Sequence, residues 1–324
     1  MAAELHDAAM QGASRLTGIF ADACDTTHEK VWQTLHEAQL VIDASTTLEY
    51  PRLASTNDAI GRHFSVFVTP DGNSAVLLAE NADRSTRLRT LEAQYYRALI
   101  NQDWGSKHLD GNLATFWSGA SCRDISTVMP YSRITGHAGN LAEQVQQAAS
   151  RSDALIRVWD RNAETGAVVA HDVPVASERS MKFDELGLFV DAGIEEKLRA
   201  MRLKSFPTET GGILLGYYDF NINSVVIVDA LPAPTDSKSS RTSFERGVVG
   251  LATAVEDAAK RTAGVVGYLG EWHSHPPGHS GHPSQDDILQ LVYLALGMAD
   301  DGLPAVSLIV GEHDIQILQG EVRG

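Results

Sequence analysis

Gly270-Glu271-Trp272-His273-Ser274-His275-Pro276, followed after a Gly/Pro/His-rich loop by Pro283-Ser284-Gln285-Asp286-Asp287-Ile288, decides the fold. The apolar run Val265–Leu269 leads directly into it, so the two histidines continue a strand. Residues i and i+2 of a strand emerge on one face, and His273 and His275 can therefore reach one metal ion. Ser284 is a good helix N-cap, which makes Asp287 the third helical residue and Ser-x-x-Asp a rigid unit. Two imidazoles and one carboxylate give a zinc site with a fourth position open to water, whose pKa falls toward ~7 on the metal. Four of the 12 histidines, His273, His275, His279 and His282, crowd this stretch. His279 and His282 read as part of the polar loop and Trp272 as core or a wall of the site.

The flanking segments alternate helix and strand, as an α/β domain requires. Upstream, Gly193–Ser205 has helical periodicity, Gly212–Tyr217 and Ser224–Leu231 read as strands, Thr235–Thr242 as a flexible polar loop and Val248–Thr262 as a helix. Downstream, a helix runs from Ser284 through Leu296, and Ala305–Val310 and Asp314–Leu318 close the chain as strands. Hydrolysis also needs a base beside the water, and Glu209, in Pro207-Thr208-Glu209-Thr210-Gly211-Gly212, stands at a helix–strand junction that can deliver a carboxylate without burying it in the core. Asp229, Phe244 and Arg246 read as packing or surface positions near the cleft.

Glu-x-Gly-Gly-x-Leu-x-Gly at 209–216, then His-Ser-His-Pro and Pro-Ser-x-x-Asp, resembles the JAMM (MPN+, Mov34/JAB) metalloproteases over roughly 184–324. The resemblance implies a cytidine-deaminase-like α/β fold and a zinc isopeptidase acting at the C-terminus of ubiquitin or a ubiquitin-like protein, in deconjugation or precursor processing. It makes His273, His275 and an Asp the Zn2+ ligands, Glu209 the general acid/base and Ser284 the donor to the oxyanion. The family's usual spacing selects Asp286, whereas Ser-x-x-Asp selects Asp287. Asp287 is favoured, because a loop tolerates one more residue while the first helical turn fixes Ser against Asp, and Asp286 stays a competitor. The rival reading is a non-catalytic MPN-type scaffold, which loss of the Glu, His or Asp would have supported; none is lost.

The N-terminal half is less informative. Helical spacing over 31–40 leads into Leu40-Val41-Ile42-Asp43-Ala44, a run that suits a parallel strand covered on both faces. Strands are expected at His63–Thr69, Ala75–Ala79, Ala154–Asp160 and in the segment 161–170. Helices are expected at Arg84–Ile100 and Leu141–Ala149. Leu40–Ser45, His63–Thr69, Leu91–Tyr96 and Trp117–Asp124 together are similar to the C-terminal half of a ThiF-type adenylating domain. The fold class is thus a partial Rossmann-like (ThiF-type) domain at 1–178 followed by the JAMM/MPN domain at 179–324, with the boundary in the polar stretch around 172–182. Neither a Gly-x-Gly-x-x-Gly loop nor a Walker A sequence occurs, so the first unit reads as a docking module without a phosphate cradle. Cys122 reads as a semi-buried thiol rather than a nucleophile.

The whole chain agrees. Its 324 residues suit two domains. With 26 Lys+Arg against 42 Asp+Glu, the net charge of −16 opposes nucleic acid and anionic membranes. Hydrophobic residues make up 43% and charged residues 21%, the balance of a globular protein. No apolar run approaches the ~20 residues of a membrane span. The first residues lack a basic start and apolar core, and two cysteines exclude a disulfide framework, so the cytoplasm is expected. The expected partners are a ubiquitin-like protein or its conjugates and the activating or conjugating enzymes of the same system. No large substrate-binding insertion is evident, which leaves recognition to the N-terminal unit.

Overall fold

The structure is a computed structural model that describes residues 29–45, 48–58, 60–111, 115–117, 125–183 and 186–322. Cys24, Cys122 and most of Trp117–Asp124 lie outside the described residues.

The first half runs α1 (Glu29–Glu37), β1 (Leu40–Asp43), α2 (Glu49–Ala54), β2 (Arg62–Val68), β3 (Ser74–Ala79), α3 (Leu88–Asn101), a 3-10 turn (Asp103–Lys107), β4 (Thr115–Trp117), β5 (Ile125–Thr127), α4 (Tyr131–Ala149), β6 (Leu155–Arg161) and β7 (Val168–Val173). Its five-stranded sheet has the order β1-β2-β3-β6-β7. β1 and β2 are parallel as expected, and the other three pairs are antiparallel. β1 is an edge strand rather than one covered on both faces, and Ile42 is 50% exposed. Three apolar residues in a row do not reveal whether a neighbour lies on both sides.

The second half runs β8 (Glu178–Phe183), β9 (Leu186–Asp191), α5 (Ala192–Ser205), β10 (Gly211–Asp219), β11 (Ser224–Ala230), β12 (Lys238–Ser239), β13 (Phe244–Glu245), α6 (Leu251–Arg261), β14 (Gly267–Ser274), α7 (Gln285–Ala299), β15 (Ala305–Val310) and β16 (Ile315–Gly320). The seven-stranded sheet has the order β16-β15-β14-β10-β11-β9-β8. β8 occupies the polar stretch that reads in sequence as an interruption. It is polar because it is an edge strand, with Arg179 and Ser180 exposed. The loop over 235–242 contains one arm of a short hairpin, β12 paired with β13.

α3 lies between the two sheets. Leu88, Leu91, Tyr95 and Leu99 share one apolar cluster with Val76, Leu78, Ile156 and Val158 of the first sheet and Ile213, Leu215, Val226 and Val228 of the second. Arg89 and Glu92 are buried too, Arg97 is half-buried, and all three find charged partners. Arg97 donates to Asp191 at 2.7 and 3.0 Å, and Arg89 pairs with Glu178 at 3.2 Å. Glu92 accepts from Arg52, which also reaches Asp219 at 3.3 Å and lies over the Tyr217 ring. Asp229 accepts from Lys197 and Asn101, which fixes it at this junction. Breaking one such buried pair costs ~3–5 kcal/mol, so the two sheets are strongly coupled through α3. α4 covers the far face of the first sheet and α5 that of the second, with Ile194 and Leu198 in its core. No described helix is long and apolar enough to cross a membrane.

Candidate metal centre

β14 carries His273 to the end of the strand, and its antiparallel register with β10 sets Gly211 against His273. Continuing that register brings Thr210 to Ser274 and Glu209 to His275. The Ser274 N–H donates to the Thr210 carbonyl at 2.7 Å, and the Thr210 N–H donates to Ser274 Oγ at 3.1 Å. The two glycines after Glu209 make this closeness possible. A Cβ on Gly211 would run into the Trp272 carbonyl and the Phe244 ring, and one on Gly212 into the Leu231 carbonyl.

The third participant comes from α7. Ser284 Oγ accepts from the Asp287 N–H at 3.2 Å, and the Ser284 N–H donates to Asp287 Oδ2 at 2.6 Å, a reciprocal capping box. That box holds the Asp287 carboxylate across both imidazoles, 3.0 Å from His273 Nε2 and 3.2 Å from His275 Nε2. The three potential ligand atoms lie within 4.8 Å of one another, and no other such group occurs among the described residues. Asp286 is exposed and outside the group.

The donor chemistry fits a divalent transition metal. His275 Nδ1 lies 2.7 Å from the Ser280 carbonyl. A carbonyl only accepts, so Nδ1 carries a hydrogen and Nε2 is the ring nitrogen turned toward the carboxylate. A metal ion can take the place between Nε2 and that carboxylate oxygen, with the Ser280 carbonyl fixing the ring behind it. His273 Nε2 is likewise buried against the other oxygen of the same carboxylate.

Residues 191–319 match the family described as prokaryotic homologs of the JAB domain. A protein of Enterobacter hormaechei subsp. hoffmannii named CD-NTase/cGAS isopeptidase is 35% identical over 140 residues, covering 43% of this chain and 73% of that protein. The chain belongs to the JAB-domain family. An Escherichia coli protein of the same name is 35% identical over 123 residues, 36% of this chain and 74% of its own length. The probable metalloprotease y4qB of Sinorhizobium fredii is 30% identical over 79 residues, 24% and 48% of the two chains.

The JAB match spans Glu209, His273, His275, Ser284 and Asp287. Burial raises the Glu209 carboxyl above its ordinary pKa, and His273 and His275 pull it part of the way back, which places that carboxylate in the field of the cluster. Burial opposes ionisation of Asp287 too, but hydrogen bonds involving His273 and Ser284 outweigh it and hold its carboxyl well below the usual range. His279 and His282 are exposed loop residues outside the group. Trp272 is core, with Nε1 donating to the Leu231 carbonyl at 2.8 Å.

Several supporting residues of the JAB domain escape a reading of the sequence. Arg202 of α5 is buried and donates to the carbonyls of His275 (3.0 Å) and Pro276 (3.1 Å). Glu312 accepts from the Gly278 N–H and Asp314 from the Gly281 N–H, which pins the intervening loop. Helical periodicity identifies α5 but cannot show that Arg202 meets a loop seventy residues away. Glu271, on the same face of β14 as His273, accepts from Arg246 at 2.7 Å and from Gln290 at 3.0 Å. These three line a groove of about 750 Å³ with Phe244, Tyr268 and Tyr293.

Proposed function

We propose that this chain is a zinc-dependent isopeptidase of the JAMM type. It hydrolyses the amide at the C-terminus of a ubiquitin or ubiquitin-like protein, in deconjugation or in precursor processing. The observation that supports this reading most is the convergence of His273, His275 and Asp287 beside the buried carboxylate of Glu209. The names of the relatives, isopeptidase and probable metalloprotease, point the same way. Two of them are named for a CD-NTase, so a CD-NTase conjugate is the first natural substrate to test.

His273, His275 and Asp287 would hold the ion, whose chemistry when bound is Lewis-acid activation of water and of the scissile carbonyl. Glu209 takes the proton of the attacking water and returns it to the leaving amine, whether a lysine side chain or a backbone nitrogen. The Ser284 hydroxyl spends a lone pair on the Asp287 N–H. Its own hydrogen stays available to the developing oxyanion. The Ser280 carbonyl orients the His275 ring, and Arg202 and Ser274 keep the ligand-bearing backbone in place. We assign residues 1–178 to a partial ThiF-type unit that docks the conjugation machinery or the substrate, and 179–324 to the catalytic domain.

The test is cleavage of a ubiquitin-like protein joined through its C-terminus to a reporter lysine. Cleavage is expected with zinc, is lost on chelation, and is lost in Glu209→Gln while the metal stays bound. A Glu209→Gln variant as active as the parent overturns the mechanism.

A further inference from the structure

Glu271 stands two residues before His273 on the same face of β14, and its side chain is only 15% exposed. A carboxylate withdrawn from water to that degree needs partners, and Glu271 is met from both sides of the groove. Arg246 Nη2, at the end of β13, donates to Oε1 at 2.7 Å, and Gln290 Nε2, from α7, donates to Oε2 at 3.0 Å. The proposed hydrolysis uses none of these three side chains.

What each partner carries gives the contact its meaning. Arg246 directly follows the β12–β13 hairpin, and two strands of two residues do not hold their shape in water unaided. At its tip this hairpin meets the site. The Ser240 N–H donates to the Ser243 carbonyl at 2.9 Å and closes the turn, while the Ser240 carbonyl accepts the Glu209 N–H at 2.8 Å. The backbone of the proposed base is thus held by the hairpin, just before β10 begins. Within the hairpin the Lys238–Glu245 pair is 77% and 71% exposed, so it contributes little. At the base, Asp236 and Ser237 accept the N–H groups of residues 247–249, which joins the two legs to each other but not to β14. The Arg246–Glu271 pair makes that second connection. Gln290 adds a weaker, exposed one to α7, a turn beyond Asp287.

We infer that Glu271 is a positioning residue: it ties the hairpin that holds Glu209 to the strand that bears His273 and the helix that bears Asp287. The general base and the metal ligands then keep one geometry although they come from three separate segments. The inference rests on the reading of Glu209 as the base of a JAMM-type hydrolase. Glu271 lies outside the ligand group and acts on Glu209 only through Arg246 and the Ser240 carbonyl. A misplacement of ~1 Å in such a group costs as much as ~100-fold in rate. Arg246 is itself half-buried, with Nε unpartnered, so removal of Glu271 alone strands its charge. A double variant that removes both charges avoids that complication.

The test compares the full chain with Glu271→Ala, Glu271→Gln and the double variant Glu271→Ala/Arg246→Ala. In Glu271→Ala and in the double variant alike, kcat is expected to fall ~10–100-fold, with KM little changed and the zinc content of the parent. Glu271→Gln should recover most of the loss, because its amide oxygen still accepts from Arg246. Amide hydrogen exchange supplies a readout that needs no activity. The Glu209 amide should exchange ~10-fold faster in Glu271→Ala and in the double variant, while the Leu231 amide, bonded to the Ile213 carbonyl within the sheet, should not change. If the parent cleaves nothing, the hydrolase reading fails and the exchange rates still decide whether Glu271 holds Glu209. Exchange at Glu209 that is the same in parent and variants overturns the proposal. Full activity in the double variant also overturns it, as does a fall in kcat accompanied by loss of zinc, which would place the effect at His273 instead.

Discussion

Replacing Asp287 by alanine removes two functions that the fold has combined in one carboxylate. The first is structural: Asp287 accepts the Ser284 N–H at 2.6 Å and closes the capping box. Its loss costs ~1 kcal/mol, and the loss of a negative charge from the first helical turn adds ~0.5 kcal/mol. The second is the ligand term. A metal present at about a thousand times its Kd stabilises the fold by ~4 kcal/mol, and a site reduced from three ligands to two forfeits most of that. The stability gap between parent and Asp287→Ala is therefore expected to be ~1.5 kcal/mol without metal and ~5 kcal/mol with it. The exposed neighbour Asp286 contributes only the charge term, so Asp286→Ala should differ from the parent by ~0.5 kcal/mol under both conditions. Thermal unfolding with and without zinc, together with metal content measured by mass spectrometry after desalting, reads both terms. Retention of metal by Asp287→Ala and its loss from Asp286→Ala would refute the reasoning. Equal gaps with and without zinc would do the same.

Arg202→Ala should weaken metal binding ~10–100-fold in competition with a chelator, because it frees the carbonyls on either side of the His275–Pro276 bond, and Arg202→Lys should recover part of the loss. Unchanged affinity would show that the arginine is only packing. Gly212→Ala should destabilise the chain by ~1–3 kcal/mol in urea unfolding, since its Cβ meets the Leu231 carbonyl, and a neutral result would contradict the close register of β10. Burial lowers the His63 pKa from 6.5 to about 4, against the pull of the Gly61 carbonyl. The unfolded chain therefore takes up this proton first, so the contribution is complete above about pH 6.5 and is lost, by ~3 kcal/mol, as the pH falls toward 4. His63→Gln should flatten that part of the pH–stability curve, and an unchanged slope would show that other groups set it.

The candidate site is legible in the sequence because its parts are local. The i, i+2 spacing of His273 and His275 needs only a strand, and Ser284 with Asp287 needs only a helix start. Glu209 is legible through the two glycines behind it, which the structure uses to bring β10 against β14. The choice of Asp287 over Asp286 follows from the capping box. The residues that hold the site in place are another matter. Arg202, Glu312 and Asp314 act on loop backbone contributed by distant segments, and no periodicity encodes that. α3 shows the same limit on a larger scale. Its apolar stripe reads as one buried face, but Arg89 and Glu92 are buried as well and Arg97 half-buried, neutralised by Glu178, Arg52 and Asp191. A charged residue looks solvent-facing until its partner is known. β8 was obscured for the converse reason, since an edge strand can afford to be polar.

Anomalous diffraction at the zinc edge from crystals of the zinc-loaded chain addresses the metal centre directly. One peak per chain is expected, within bonding distance of His273 Nε2, His275 Nε2 and the Asp287 carboxylate. A peak elsewhere, or none at these three side chains in protein that cleaves its substrate, would contradict the assignment.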